Sequence, residues 1–167
     1  QRYLFFATLH GRVKKTLFNE YDKSRSGGFI ALKLNDGDEL VSVMPINDGD
    51  KILLSSRAGQ TICFGGDVVR PMGRSAAGVR GMKFRENDTL VAAAVAEPGT
   101  SLLHITRSGF GKRTPVEDYP TKGRGGLGVR GIRLGGTRKE VAGALVVADD
   151  SEVFLIASSG TVIRMKV

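Results

Sequence analysis

Four hairpin-like stretches recur along this chain at a nearly constant interval, and that repetition limits the possible folds more than any other feature. YLFFATLHGRVKKT, KILLSSRAGQTICF, SLLHITRSGFGKRT and EVFLIASSGTVIRM, starting at Tyr3, Lys51, Ser101 and Glu152, each read apolar strand, polar turn with glycine, second strand. Their turn glycines, Gly11, Gly59, Gly109 and Gly160, are 48, 50 and 51 residues apart. A second set, RSGGFIALKL, SAAGVRGMKF and GLGVRGIRL, is anchored on Gly28, Gly78 and Gly128 at spacings of 50 and 50. A polar turn and a further apolar strand follow each: DELVSVMPI, DTLVAAAVA and KEVAGALVV. One unit thus holds about four short strands in roughly 50 residues, and no stretch keeps a 3.6-residue apolar period long enough for a helix.

Four antiparallel strands per unit, repeated around an axis so that each sheet buries its faces on its neighbours, is the pattern of a propeller blade. The expected fold class is all-β, a propeller-like repeat. Its units run approximately 3–50, 51–100 and 101–150, with a partial unit 151–167, all within one domain. That is fewer than the usual four to eight blades, so an open arc, or a ring completed by another chain, is expected. The chain starts at Gln1, inside a strand-like run and without a Met, and reads as a piece of a longer protein.

A net charge of +8 and a pI near 9.9 point to a polyanionic partner, nucleic acid first and an anionic membrane surface second. No run of about 18 apolar residues and no charged-then-apolar leader is present, so neither a membrane span nor export is expected. The single cysteine, Cys63, excludes an internal disulfide framework or a multi-cysteine zinc site and fits the reducing cytoplasm.

The cations follow the repeat. Arg74 and Arg124 lie four residues before their anchor glycines, Arg80 and Arg130 two after, and Lys33, Lys83 and Arg133 five after. In the hairpins the position four after the turn glycine is Lys15, Cys63, Arg113 and Arg164, with Lys14 and Lys112 beside two of them. Arg25 and Lys122 stand in the connections leading to Gly28 and Gly128. Blades are related by rotation, so cations at one blade position form a curved basic track, able to neutralise phosphates through counterion release without reading bases. Taken singly, each is equally an ordinary solvated strand charge that protects a sheet edge.

Residues 123–128, GRGGLG, match the G-x-G-x-x-G pattern of a dinucleotide loop. That fingerprint needs a strand entering and a helix leaving. Here DYPT precedes the loop and strand-like VRGIRL follows; the loop one unit earlier, GRSAAG, has lost two glycines, so a nucleotide site is not expected. Gly125 and Gly126 suit a close backbone approach to phosphate and a tight turn equally well.

No catalytic or metal site is expected. His104 shares the register of Phe6, Leu54 and Leu155, a core position, and His10 is a turn residue. The repeat sets no serine or cysteine beside either one. Cys63 occupies a register that is otherwise basic, so partial exposure is expected. Asp36, Asp38, Asp48, Asp50, Asp149 and Asp150 read as turn acids without the calcium-loop pattern. Phe5, Phe6, Phe84 and Phe154 are expected in strand cores; with no Trp there is no aromatic platform for single strands, which favours a duplex.

The hairpins TLHGRVKKT and TRSGFGKRT, the GGFIALKL run and RPMGRSAAGVRGMKF resemble the C-terminal domain of the bacterial DNA gyrase A subunit or, as the alternative, that of the closely related topoisomerase IV A subunit. The likeness covers the whole chain. It implies a hairpin-invaded propeller, the β-pinwheel, whose basic perimeter wraps duplex DNA so that strand passage elsewhere in the enzyme introduces negative supercoils. It implies a parent ATP-dependent topoisomerase acting at the nucleoid, in which the partners are the B subunit together with the rest of the A subunit. The catalytic tyrosine, the ATP site and the Mg2+ site would lie outside this segment, which itself takes no cofactor. The family's box, typically QRRGGKG, has its nearest match in KGRGGLG: Lys122, Gly123, Arg124, Gly125, Gly126, Leu127 and Gly128. Lys122, Gly123 and Leu127 depart from the pattern, so the box is degenerate, and gyrase or topoisomerase IV remains open. A kelch-like protein-binding propeller is the rival class, since a 50-residue period and GG doublets suit it also.

Overall fold

The computed structural model describes residues 1–22 and 26–167. Among them there is no α-helix; single 3-10 turns follow three of the hairpins, at Phe18–Tyr21, Gly66–Val68 and Val116–Asp118. The hairpins are β1 (Arg2–Thr8) with β2 (Arg12–Leu17), β4 (Lys51–Ser56) with β5 (Gln60–Gly65), β8 (Ser101–Thr106) with β9 (Gly111–Pro115), and β12 (Glu152–Ile156) with β13 (Val162–Lys166). The first two close through three-residue loops ending on Gly11 (φ 80°) and Gly59 (φ 89°), a left-handed position that glycine adopts at no steric cost. A hydroxyl ahead of each turn fastens it: Thr8 Oγ1 accepts the Arg12 amide, Ser56 Oγ that of Gln60, and Thr106 Oγ1 that of Phe110, all at 3.1 Å.

β3 (Leu40–Asn47), β7 (Leu90–Val95) and β11 (Val141–Val147) pair antiparallel with β1, β4 and β8 respectively. Two very short strands, β6 (Val79–Arg80) and β10 (Val129–Arg130), complete sheets outside their own units. β6 pairs with β2 and β10 with β5, giving the orders β3-β1-β2-β6, β10-β5-β4-β7, β11-β8-β9 and β12-β13. Each of the first two sheets therefore takes its fourth strand from the following unit. The two Gly-Val-Arg-Gly segments, 78–81 and 128–131, make this possible. Gly81 and Gly131 donate their amides to the turn carbonyls Gly11 O and Gly59 O, both at 2.8 Å. A Cβ on Gly81 would come within 2.5 Å of Val13 Cγ1, and one on Gly131 within 2.8 Å of the His104 ring, so only glycine lets the strand seat.

The sheets stack in chain order. β4 is buried along both faces because its alternate residues serve different neighbours. Ile52 and Leu54 pack with Phe5, Ala7, Val13 and Ile46 of the first sheet, whereas Leu53 joins Cys63, Leu102, Val116 and Tyr119 toward the third. A third cluster, Leu103, Val147 and Val153, ties on the last hairpin.

Two expectations about packing are corrected. Cys63 is buried, not partly exposed, because residues 121–122 lie across β5: the Lys122 amide donates to Cys63 O at 2.9 Å. Burial pushes its thiol pKa up. Phe154 is 63% exposed, since no further sheet covers that face of β12 among the described residues, and Phe84 lies outside the strands, packed against Gly11.

The junctions differ in chemistry. Between the first two sheets the equivalent positions are Ala7, Val13 and Leu54; between the second and third they are Ser55, Thr61 and His104. His104 is fully buried as its register suggests, but against expectation a serine does stand beside it: its Nε2 lies 3.3 Å from Ser55 Oγ and 3.1 Å from Thr61 Oγ1, and the two hydroxyls lie 3.1 Å apart. Burial, and next the Lys112 charge, hold its pKa down at about 4, so the ring is neutral at pH 7.

Candidate nucleic-acid interface

The segments that carry the recurring cations join into one continuous outer ribbon. The Lys33 amide donates to Ala76 O at 3.3 Å, and fifty residues on the Lys83 amide donates to Gly126 O at 2.8 Å. The Gly125 amide donates to Gly81 O at 2.7 Å. Each unit's loop is thus hydrogen-bonded to the previous unit's strand-and-exit segment, so the cations are carried on fixed backbone.

Their side chains divide into three groups. Lys33, Arg80, Lys83, Lys112, Lys122, Arg130 and Arg133 are exposed and have no side-chain hydrogen bond or ion pair among the described residues. A second group is exposed or half-buried but engaged. The Arg74 guanidinium sits 4.8 Å from the Phe29 ring centroid. Arg113 pairs with Asp149 at 3.3 Å, and Arg164 pairs with Glu152 across β12 and β13. Arg124 reaches Arg80 O at 3.0 Å and Val68 O at 3.3 Å, which pins the loop to the preceding unit. Arg25 lies outside the described residues.

Lys14 and Lys15 form the third group and are a correction. Both are buried, because residues 71–76 fold across β2 just as 121–126 fold across β5. The Lys14 ammonium spends its donors on Ala31 O (2.6 Å), Arg74 O (2.7 Å) and Gly73 O (3.3 Å), 4.9 Å from the Phe6 ring centroid. Desolvation lowers its pKa to about 8. Lys15 donates to Gly66 O at 3.0 Å over the Tyr3 ring. These two lysines fasten the second unit to the first and present no charge to a ligand. Their counterparts Lys112 and Arg113 are exposed because no strand lies beyond β9 among the described residues.

The glycines of the KGRGGLG loop have structural work. Gly125 (φ 86°) and Gly128 (φ 71°) hold left-handed conformations, the Gly125 amide is already used, and a Cβ on Gly128 would run into the Thr61 carbonyl. The turn acids also have definite roles. Asp38 accepts from Thr8 Oγ1 and from the His10 and Glu39 amides, and Asp88 from the Ala58 and Thr89 amides.

This domain, four sheets in series with a cation-bearing outer ribbon passed from unit to unit, can be set beside known proteins. The family model described as DNA gyrase C-terminal domain, beta-propeller, matches residues 2–47, 50–97 and 100–148. The chain belongs to this gyrase C-terminal domain family. It is 45% identical over 164 residues to the A subunit of DNA gyrase from Mycobacterium tuberculosis strain H37Rv, covering 97% of this chain and 20% of that protein. It is 41% identical over 164 residues to its Salmonella typhimurium counterpart, covering 98% of this chain and 19% of that protein. The chain thus spans about a fifth of the length of the curated relatives it matches. A solved DNA gyrase A C-terminal domain superposes with a TM-score of 0.88 at 26% identity, covering 98% of this chain and 55% of that one. The C-terminal domain of DNA topoisomerase IV superposes with a TM-score of 0.93 over 99% of this chain and 52% of that one; at 24% identity that likeness speaks for the fold alone. The gyrase family match displaces the kelch-like alternative.

Arg85 is a further cation on this surface that the repeat does not mark. It is exposed and falls seven residues after Gly78, where the neighbouring units have Asn35 and Gly135, so a search for recurring cations passes over it.

Proposed function

We propose that this chain binds and bends duplex DNA on its outer ribbon, as the accessory C-terminal domain of the A subunit of a type IIA topoisomerase in the cytoplasm. The observation that carries the reading is the set Lys33, Arg80, Lys83, Arg130 and Arg133: exposed, without a side-chain partner among the described residues and spaced by the repeat, with the first four also hydrogen-bonded through their backbone to a neighbouring unit. An ordinary solvated surface has no need for cations to be handed from unit to unit at one register. Bending 20–30 bp through 40–90° costs on the order of 1–6 kcal/mol, which a distributed set of phosphate contacts offsets without reading bases. The B subunit, together with the remainder of the A subunit, ATP and Mg2+, would supply strand passage. The identity to gyrase A subunits favours negative supercoiling as the activity served, with topoisomerase IV-type decatenation as the other outcome.

A gel-shift titration on a duplex of about 150 bp, between about 50 and 200 mM salt, tests this. If each of the five cations neutralises one phosphate, log K falls against log salt with a slope of about −4 to −5, nearly equal for unrelated sequences. A flat salt response, or binding that one sequence alone supports, refutes it.

A further inference from the structure

Most arginines here have a partner that uses their charge. Arg57 and Arg107 both pair with Glu140, Arg113 pairs with Asp149 and Arg164 with Glu152. Arg12 and Arg124 reach backbone carbonyls, and Arg2, Arg74 and Arg138 lie over phenylalanine rings. Arg70, Arg80, Arg85, Arg130 and Arg133 have no such partner among the described residues, and three of these five share one place. Arg85, Arg130 and Arg133 line a cleft of about 370 Å3 whose remaining wall is Ala58, Gln60, Asp88, Ile132 and Leu134. None of the three has a side-chain hydrogen bond or ion pair among the described residues.

Asp88 also lines this cleft and offsets part of its charge. Its carboxylate oxygen is taken by the Ala58 and Thr89 amides, and it makes no ion pair within reach of the three guanidinia. Three arginines against one carboxylate leave the cleft with a net positive charge, against a partly apolar wall that screens it less than open water does. The equivalent place one unit earlier is built differently. Asn35 stands where Arg85 is, and Arg12, where Gln60 is, is spent on Gly78 O at 2.5 Å. Arg130 and Arg133 repeat the free Arg80 and Lys83 of the preceding unit, so Arg85 is what sets the junction between the second and third units apart.

We propose that this cleft is a discrete seat for one phosphate group of the bound duplex, with Arg85 as a contact that the repeating ribbon does not supply. The planar fork of arginine suits bidentate recognition of phosphate oxygens, and three arginines lining one volume suit an anion with several acceptor atoms. The inference rests on the DNA-binding reading and adds a fixed point of attachment to an otherwise evenly distributed track.

The test compares Arg85→Ala with Arg138→Ala, an equal loss of charge on the third unit, outside the cleft. Wild type and both variants are titrated with duplex DNA over the same salt range, with thermal melts as a folding control. In parallel, the arginine Nε–H resonances are followed while inorganic phosphate or a short duplex is added. The expected result is that Arg85→Ala loses about tenfold in affinity and about one unit of salt slope at unchanged melting temperature, and that Arg138→Ala changes both much less. The Arg85 resonance should shift with the duplex at concentrations where inorganic phosphate has little effect. Wild type that binds DNA, with Arg85→Ala matching it or matching Arg138→Ala, overturns the seat while leaving the DNA-binding reading intact. Wild type that fails to bind DNA overturns the general reading; an Arg85 shift with inorganic phosphate alone then makes the cleft a small-anion site and overturns the proposal as well.

Discussion

Lowering the pH from 7 to about 4.5 should cost this chain about 2–3 kcal/mol of stability through His104 alone. In the folded protein the ring is fully buried between the second and third sheets, and its pKa is held at about 4 against an ordinary 6.5. The unfolded chain takes up a proton as the pH falls below about 6.5, while the folded chain resists until about 4, so unfolding is favoured throughout that window. At about 1.4 kcal/mol per pH unit of difference, most of the cost has accrued by pH 4.5. The lowered carboxylates, Asp38, Asp48 and Glu117, stay ionised in the fold across this window and withdraw their stabilisation only at more acid pH. Urea unfolding at pH 7, 6, 5 and 4.5 measures the effect, compared between wild type and His104→Leu. At pH 7 the leucine variant should lose only about 1 kcal/mol, because Ser55 and Thr61 keep their mutual hydrogen bond, and it should lack the acid slope. The triple variant Ser55→Ala, Thr61→Val, His104→Leu reproduces the Ala7, Val13, Leu54 set of the preceding junction and should recover wild-type stability. An acid slope that survives in His104→Leu, or a ring that titrates near 6.5 by NMR, refutes the reasoning.

Lys14 should leave a signature of the same sign at higher pH. Its folded pKa of about 8 lies below that of the unfolded chain, so stability should rise by about 1–3 kcal/mol as pH goes from about 8 to 10. Lys14→Met should abolish that rise in the same urea assay, and a wild type that loses stability over this interval contradicts it. Within the glycine loop, Gly128→Ala should lower the melting temperature strongly, because its φ is positive and the new Cβ meets the Thr61 carbonyl. Gly126→Ala, whose Cβ would rest 3.7 Å from Ile62 Cδ1, should be close to neutral; equal melting of the two variants would show that the loop is not seated on β5 as described.

Hairpins, turn glycines, the 50-residue period and the all-β class can be read from the sequence because they rest on local rules: alternation at period two, and the left-handed turn position that glycine fills most readily. The outward register of Lys33, Arg80, Lys83, Arg130 and Arg133 follows from the same periodicity. Tertiary structure alone decides which sheet a two-residue strand joins. Val79–Arg80 and Val129–Arg130 are too short to specify a partner, and they pair with the preceding unit because Gly81 and Gly131 permit close approach to its turn. That choice then determines which cations are free. Lys14 and Lys15 belong to the same hairpin register as the exposed Lys112 and Arg113, yet they are buried by the segment that follows the next unit's hairpin. A lysine's exposure depends on what lies across it, which is a contact over some sixty residues of chain and leaves no local mark. The cluster of Arg85 with Arg130 and Arg133 has the same origin, since residues 45 or more apart in sequence come to one cleft only where successive units meet.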